Sequence, residues 1–185
     1  MIEDVDTGRR IMMQVAAGLA AALPRPPAEA SVGVQRGAGA KPGDFDFLSG
    51  YWTIRHERLT DGQLDRFSGE ASVTGILGGI ASVEELRIPA RGFHGMGLRI
   101  LDLQRQRWGD YWCNGGNGVL NAPVWGGFDA GTGIWDEIGA DGAITRGVWD
   151  QIAESSCRWR QLVSDDGGTA WREQWIMHWQ RVPAT

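Results

Sequence analysis

From Gly50 onward, apolar and polar residues alternate in short runs broken by turn residues, without a repeated helical pattern of 10–15 residues. The alternation predicts extended segments over 51–60, 63–75, 79–88, 95–103, 106–113, 122–129, 132–138, 142–152, 155–164 and 169–181. Thr60-Asp61-Gly62, Ala140-Asp141-Gly142 and Asp165-Asp166-Gly167-Gly168 mark hairpin turns, because glycine accepts the positive φ that such turns need. The last segment is ambiguous by spacing alone. Trp171, Trp175 and Trp179 recur every four residues, which places them on one side of a helix or of a strand. The turn before them and the strand-like neighbours favour a strand. Ten such strands form either a sandwich or a closed barrel, and the pattern leaves both open.

Ahead of this body, residues 9–23 have the spacing of an amphipathic helix. Pro24, Pro26 and Pro27 end it and begin a tether that runs to about Pro42. The expected division is therefore a helix and Pro/Gly-rich tether over 1–43 and a β domain over 44–185. Three roles stay open for the extension: covering a cavity, packing on a second copy as a homodimer, or remaining mobile. Arg9 and Arg10 before the apolar run, with Ala28-Glu29-Ala30 after it, resemble an export signal, but the early acidic residues and Gln14 oppose that reading. A cytoplasmic protein is expected, with an exported one as the alternative.

Composition narrows the picture. The 185 residues include 28 Gly and 10 Trp, a pairing that disfavours long helices and suits pleated sheets. The net charge is -5, and the 17 Arg and single Lys form no basic block, so a nucleic-acid partner is not expected. No apolar run reaches the roughly 20 residues of a membrane-spanning helix. Cys113 and Cys157 are too few for a disulfide scaffold and lack a paired zinc-ligand spacing.

Three stretches carry a family resemblance: Phe45-Asp46-Phe47-Leu48-Ser49-Gly50-Tyr51-Trp52, then Gly78-Gly79 with Glu84-Glu85, then Ser164-Asp165-Asp166-Gly167-Gly168-Thr169-Ala170-Trp171. Together they resemble bacterial calycin or lipocalin-like proteins, largely of uncharacterised function. The resemblance implies a mainly β fold, an up-and-down antiparallel barrel of about ten strands, nearer to fatty-acid-binding and nitrobindin-like barrels than to eight-stranded lipocalins. It also implies that Trp52 seals the floor of the barrel.

Candidate chemistry follows from strand parity. With Trp52 inward, Ile54, His56 and Arg58 share its side. Glu84 and Glu85 face opposite ways, and Glu85 is the one expected in an inward network. Arg99, Arg146, Arg158 and Arg160 are candidates for clamping a carboxylate or phosphate, since a guanidinium offers a directed fork. Trp112 offers a flat wall, and Asn114 a polar amide at the start of a Gly-rich loop that lacks the Lys-Ser/Thr ending of a phosphate loop. His94 and His178 raise haem as an alternative, but no cofactor or metal is expected. There is no Gly-x-Ser-x-Gly elbow and no dinucleotide-binding turn.

The leading expectation is binding of a small apolar or aromatic metabolite, carrying a carbonyl or carboxylate, with Arg58, Arg99, Trp112, Asn114, Arg146 and Arg160 as contacts. The alternative is a cofactor-independent isomerase or cyclase, with His56 and Glu85 moving a proton.

Overall fold

The computed structural model describes residues 39–183, so the expected helix over 9–23 and most of the tether lie outside the described residues. Ten antiparallel strands close into one barrel. They are β1 (Gly50–Thr60), β2 (Gln63–Ile76), β3 (Ala81–Ile88), β4 (Phe93–Asp102), β5 (Arg107–Asn114), β6 (Val124–Asp129), β7 (Thr132–Ile138), β8 (Ile144–Asp150), β9 (Ser156–Ser164) and β10 (Arg172–Arg181). Each pairs with its sequence neighbours, and β1 pairs with β10 to complete the ring. The barrel is one of the two architectures that alternation had left open, and the last ambiguous segment is strand β10.

The interior is built from indoles. Eight of the ten tryptophans are buried: Trp52, Trp108, Trp112, Trp135, Trp149, Trp159, Trp175 and Trp179. Such side chains fit inside a barrel only where a neighbouring strand gives up its own side chain. Gly126 of β6 stands opposite Trp135 of β7, and a Cβ there would lie 2.5 Å from the indole Cγ. Gly95 of β4, diagonal to Trp112 of β5, clears space for that indole, since a Cβ there would come within 2.6 Å of Cη2. Gly147 of β8 lies opposite Trp135 on one side and Gln161 of β9 on the other.

One end is sealed by a short 3-10 turn, Asp46–Leu48. Trp52 donates its Nε1–H to the Leu48 carbonyl at 2.8 Å, and Phe45 packs edge-on against Trp108 and Phe128. Trp52 thus takes the floor position that the resemblance implied. Arg181, at the end of β10, lies 4.2 Å over the Trp52 ring and donates to the Ser49 and Phe47 carbonyls, both at 2.5 Å. First and last strands are therefore clasped together at the floor.

Adjacent glycines on β6 provide a test of the packing argument. Gly126 faces the indole, whereas Gly127 faces outward, where among the described residues only the Ala40 methyl comes near a Cβ, at 3.8 Å. Gly126→Ala is expected to cost about 1–3 kcal/mol by overpacking, and Gly127→Ala to stay within about 0.5 kcal/mol of wild type. Urea unfolding midpoints of the two variants measure the difference.

Candidate functional site in the barrel interior

The inward faces of β3, β4 and β5 bring a polar set into this aromatic interior. Arg99 of β4 is 2% exposed, donates from Nη2 to Glu84 Oε2 of β3 at 2.5 Å, and has Asp110 of β5 3.7 Å from its Nε. Inward Gly97 makes room, since a Cβ there would lie 3.2 Å from Arg99 Nη2 and 3.3 Å from Glu84 Oε2. Burial disfavours the charged guanidinium, but Glu84 and Asp110 outweigh it and hold the Arg99 pKa above its ordinary value. The cation sits 5.5 Å from the Trp149 ring centroid and 5.2 Å from that of Phe45.

Several donors inside the barrel have no hydrogen-bond partner among the described residues. They are Arg99 Nε and Nη1, Gln161 Nε2, Trp179 Nε1 and the Ser82 hydroxyl, while Gln161 Oε1 is an equally unpartnered acceptor. Gln161 has no exposed surface, so both ends of its carboxamide are held away from solvent. Buried polar groups of native proteins are nearly always paired, because leaving one unpaired costs about 1–3 kcal/mol. The surplus of donors defines the chemistry that would satisfy this interior: oxygen acceptors on an otherwise apolar body.

His56 occupies a second layer. Its ring stacks on Phe67 with centroids 4.5 Å apart, and its Nδ1 accepts the Trp175 Nε1–H at 3.2 Å. Indole nitrogen only donates, so His56 must offer a lone pair at Nδ1 and carry its proton on Nε2. Arg58, also inward, lies 5.2 Å from the Trp175 ring. Trp112 is buried and stacks with Phe93 at 6.4 Å, and Asn114 accepts the Gly116 amide on its Oδ1 at 2.7 Å.

The other charged candidates lie outside. Glu85 faces solvent and pairs with Arg87 at 2.5 Å, because the parity that sends Leu86 and Ile88 inward selects Glu84. Arg146 forms a two-point pair with Asp136 across β7 and β8 and stacks 4.0 Å over Trp171. Arg160 binds Asp150 and Glu173 on the outer wall. The proposed His56 and Glu85 acid–base pair is thus separated by the barrel wall. Arg158 shares the outward parity of Arg160 and pairs with Asp150. His94 is exposed between β3 and β5, and His178 faces outward on β10, so the two histidines suggested for haem do not meet in the interior. Both cysteines are free, and burial pushes the Cys157 thiol up to about 12.

The interior also holds Ser82, Asp110, Glu137 and Gln161, which were not among the candidates, and Glu84, which stood second to Glu85. Their signal was parity. Gln161 is two residues from both Trp159 and Val163, on the apolar side of β9. Glu137 of β7 lies opposite Thr145 of β8, and desolvation raises its pKa to about 7.

These features define a ten-stranded up-and-down barrel with a polar cluster embedded in an aromatic interior. No protein family and no curated protein matches the chain. Among solved structures, it is similar to the S-type phycobiliprotein lyase CPES from Guillardia theta, with a TM-score of 0.52, 9% identity, and coverage of 76% of this chain and 92% of that one. It also aligns with a protein of unknown function from the DUF3598 family of Nostoc punctiforme, at a TM-score of 0.45 and 12% identity, covering 77% of this chain and 51% of that one. At such identity the lyase likeness shows the fold.

Two outcomes are expected. Glu137 binds a proton more tightly in the folded state than in the unfolded chain, so its contribution to stability is complete below about pH 4.5 and is lost as pH rises through about 7. Melting temperatures between pH 5 and 8 should fall less steeply in Glu137→Gln than in wild type. For His56, long-range nitrogen–proton NMR correlations should report the Nε2–H tautomer, and an Nδ1–H signal would contradict the Trp175 hydrogen bond.

Proposed function

We propose that this protein is a calycin-type binding barrel that takes up a small, largely apolar or aromatic molecule and holds a carbonyl or carboxylate of that molecule with Arg99 and Gln161. The observation that carries the reading is Gln161, a carboxamide with no exposure and no partner for either of its polar atoms among the described residues. A leucine of similar volume would remove that desolvation penalty, so the amide is better accounted for by a ligand than by folding. Arg99 adds directed donors, and Trp149 beside it gives a flat ring something to stack on. Arg58, Trp112 and Asn114 line other parts of the same interior and are secondary contacts in this reading.

The test is a comparison of wild type with Gln161→Leu. Binding of 2-naphthoate, its methyl ester and unsubstituted naphthalene is followed by quenching of tryptophan fluorescence, and any resident molecule is identified by mass spectrometry after denaturation. Wild type should favour the two oxygen-bearing probes. Gln161→Leu should weaken them at least tenfold while raising stability by about 1–3 kcal/mol. Equal binding of all three probes by both proteins, with nothing released on denaturation, would overturn the proposal.

A further inference from the structure

The outer wall of the barrel carries a separate feature. A trough of about 860 Å³ crosses β2, β1, β10 and β9, with the short side chains of Thr53, Ser68 and Ser156 along its bed. Register places Arg55 of β1, His178 of β10 and Arg158 of β9 directly opposite one another on three adjacent strands. At the usual spacing between strands, the two arginines start about 10 Å apart, with the imidazole between them.

Both arginines already have carboxylate partners, but neither partner occupies the space between them. Arg55 uses Nη1 for Glu57, the next outward residue on its own strand. Arg158 uses Nε and Nη2 for Asp150 of β8, on the side away from His178. Arg55 Nε and Nη2 and Arg158 Nη1 have no hydrogen-bond partner among the described residues. Glu70, which also lines the trough, is bound by Arg87 at 2.9 Å.

From this geometry we propose that the trough binds a tetrahedral oxyanion, the phosphate or sulfate group of a small polar ester, between Arg55 and Arg158 and over His178. A planar carboxylate is satisfied by one guanidinium fork and would leave the Arg158 donor on the far side of His178 unused, whereas a tetrahedral anion can reach both arginines. What remains is the Nε–Nη2 edge of Arg55, the single Nη1 of Arg158 and the hydroxyls of Ser68 and Ser156, donors arriving from three strands around one space, which suits oxygens pointing in several directions. The trough is larger than a bare anion and falls within the size range of small-molecule sites, so the anion is one end of a larger ligand.

The site also couples to protonation. Burial, followed by the charge of Arg55, holds His178 below the ordinary histidine pKa, with Arg158 acting in the same sense and Glu57 against it. Glu70 on β2, opposite Thr53, lines the trough, and Asp150 on β8 stands behind Arg158. An anion set between the cations reverses the field at the imidazole. Its binding must therefore raise the His178 pKa, and lowering the pH must tighten the anion by the same factor.

The experiment follows His178 by NMR as pH is varied, in sodium sulfate and in sodium chloride of equal ionic strength. Sulfate keeps its charge over this range, so any linkage belongs to the protein. The His178 midpoint should rise in sulfate, and sulfate should bind at least threefold more tightly at pH 5.5 than at pH 7.5. Arg55→Gln, which breaks only an exposed pair, should reduce both effects. Arg172→Gln, at a distant exposed arginine, should leave them unchanged. Glycerol 2-phosphate should compete with sulfate in wild type. Equal midpoints in the two salts, or a sulfate effect that survives intact in Arg55→Gln, would overturn the proposal. Because the readouts are on the outer wall, their failure leaves the interior reading untouched, and the naphthoate titration leaves this one untouched.

Discussion

The space demanded by indoles governs this barrel. Eight buried tryptophans must share an interior enclosed by ten strands, and side chains of that size fit only where their neighbours are small. The chain meets the demand locally, by placing glycine beside tryptophan across a strand pair. Gly126 with Trp135 and Gly95 with Trp112 are the clearest cases. Register and packing then enforce each other. A slip of one residue in either strand would turn the indole outward and bring a side chain against the backbone that had been cleared for it.

The same device prepares the polar cluster. Inward Gly97 leaves the space that the Arg99 and Glu84 pair fills, and inward Gly147 stands beside Gln161. An ion pair buried this deeply is weak evidence for stability, because desolvation offsets much of the attraction. Its rigidity has another use. Walls of interlocked aromatic rings fix the direction of each donor, so under the proposed binding role little side-chain freedom would be left to lose to an acceptor. Floor and cluster are mechanically continuous, since Phe45 packs on Trp108 and also faces Arg99.

Strand positions were legible to within a few residues because each strand has one buried face, and turn glycines punctuate the chain. The direction of individual charged residues was harder to read. Glu84 and Glu85 are chemically identical neighbours, and only the phase set by Leu86 and Ile88 distinguishes them. Arg146 was misplaced for a different reason. The inward residue beside it is Gly147, which adds nothing to a hydrophobic pattern and so conceals the phase of β8. His56 and Arg99 were found because apolar residues flank them at the right parity. Gln161 satisfied the same rule, but a neutral amide between Trp159 and Val163 draws less notice than the arginines beside it.

The clasp at the floor bears on how the molecule comes into being. Arg181 holds the Phe47 and Ser49 carbonyls, and β10 completes the ring by pairing with β1. Every other seam joins strands that follow one another along the chain, so nine hairpin-like pairings can form as the polypeptide lengthens. The tenth cannot. It joins segments separated by more than a hundred residues, and the entropy of closing so long a loop is met only when the final strand is in place. During synthesis the growing chain is therefore an open, curling sheet with its first strand unpaired along one edge. It becomes a closed ring only after its last strand has left the ribosome.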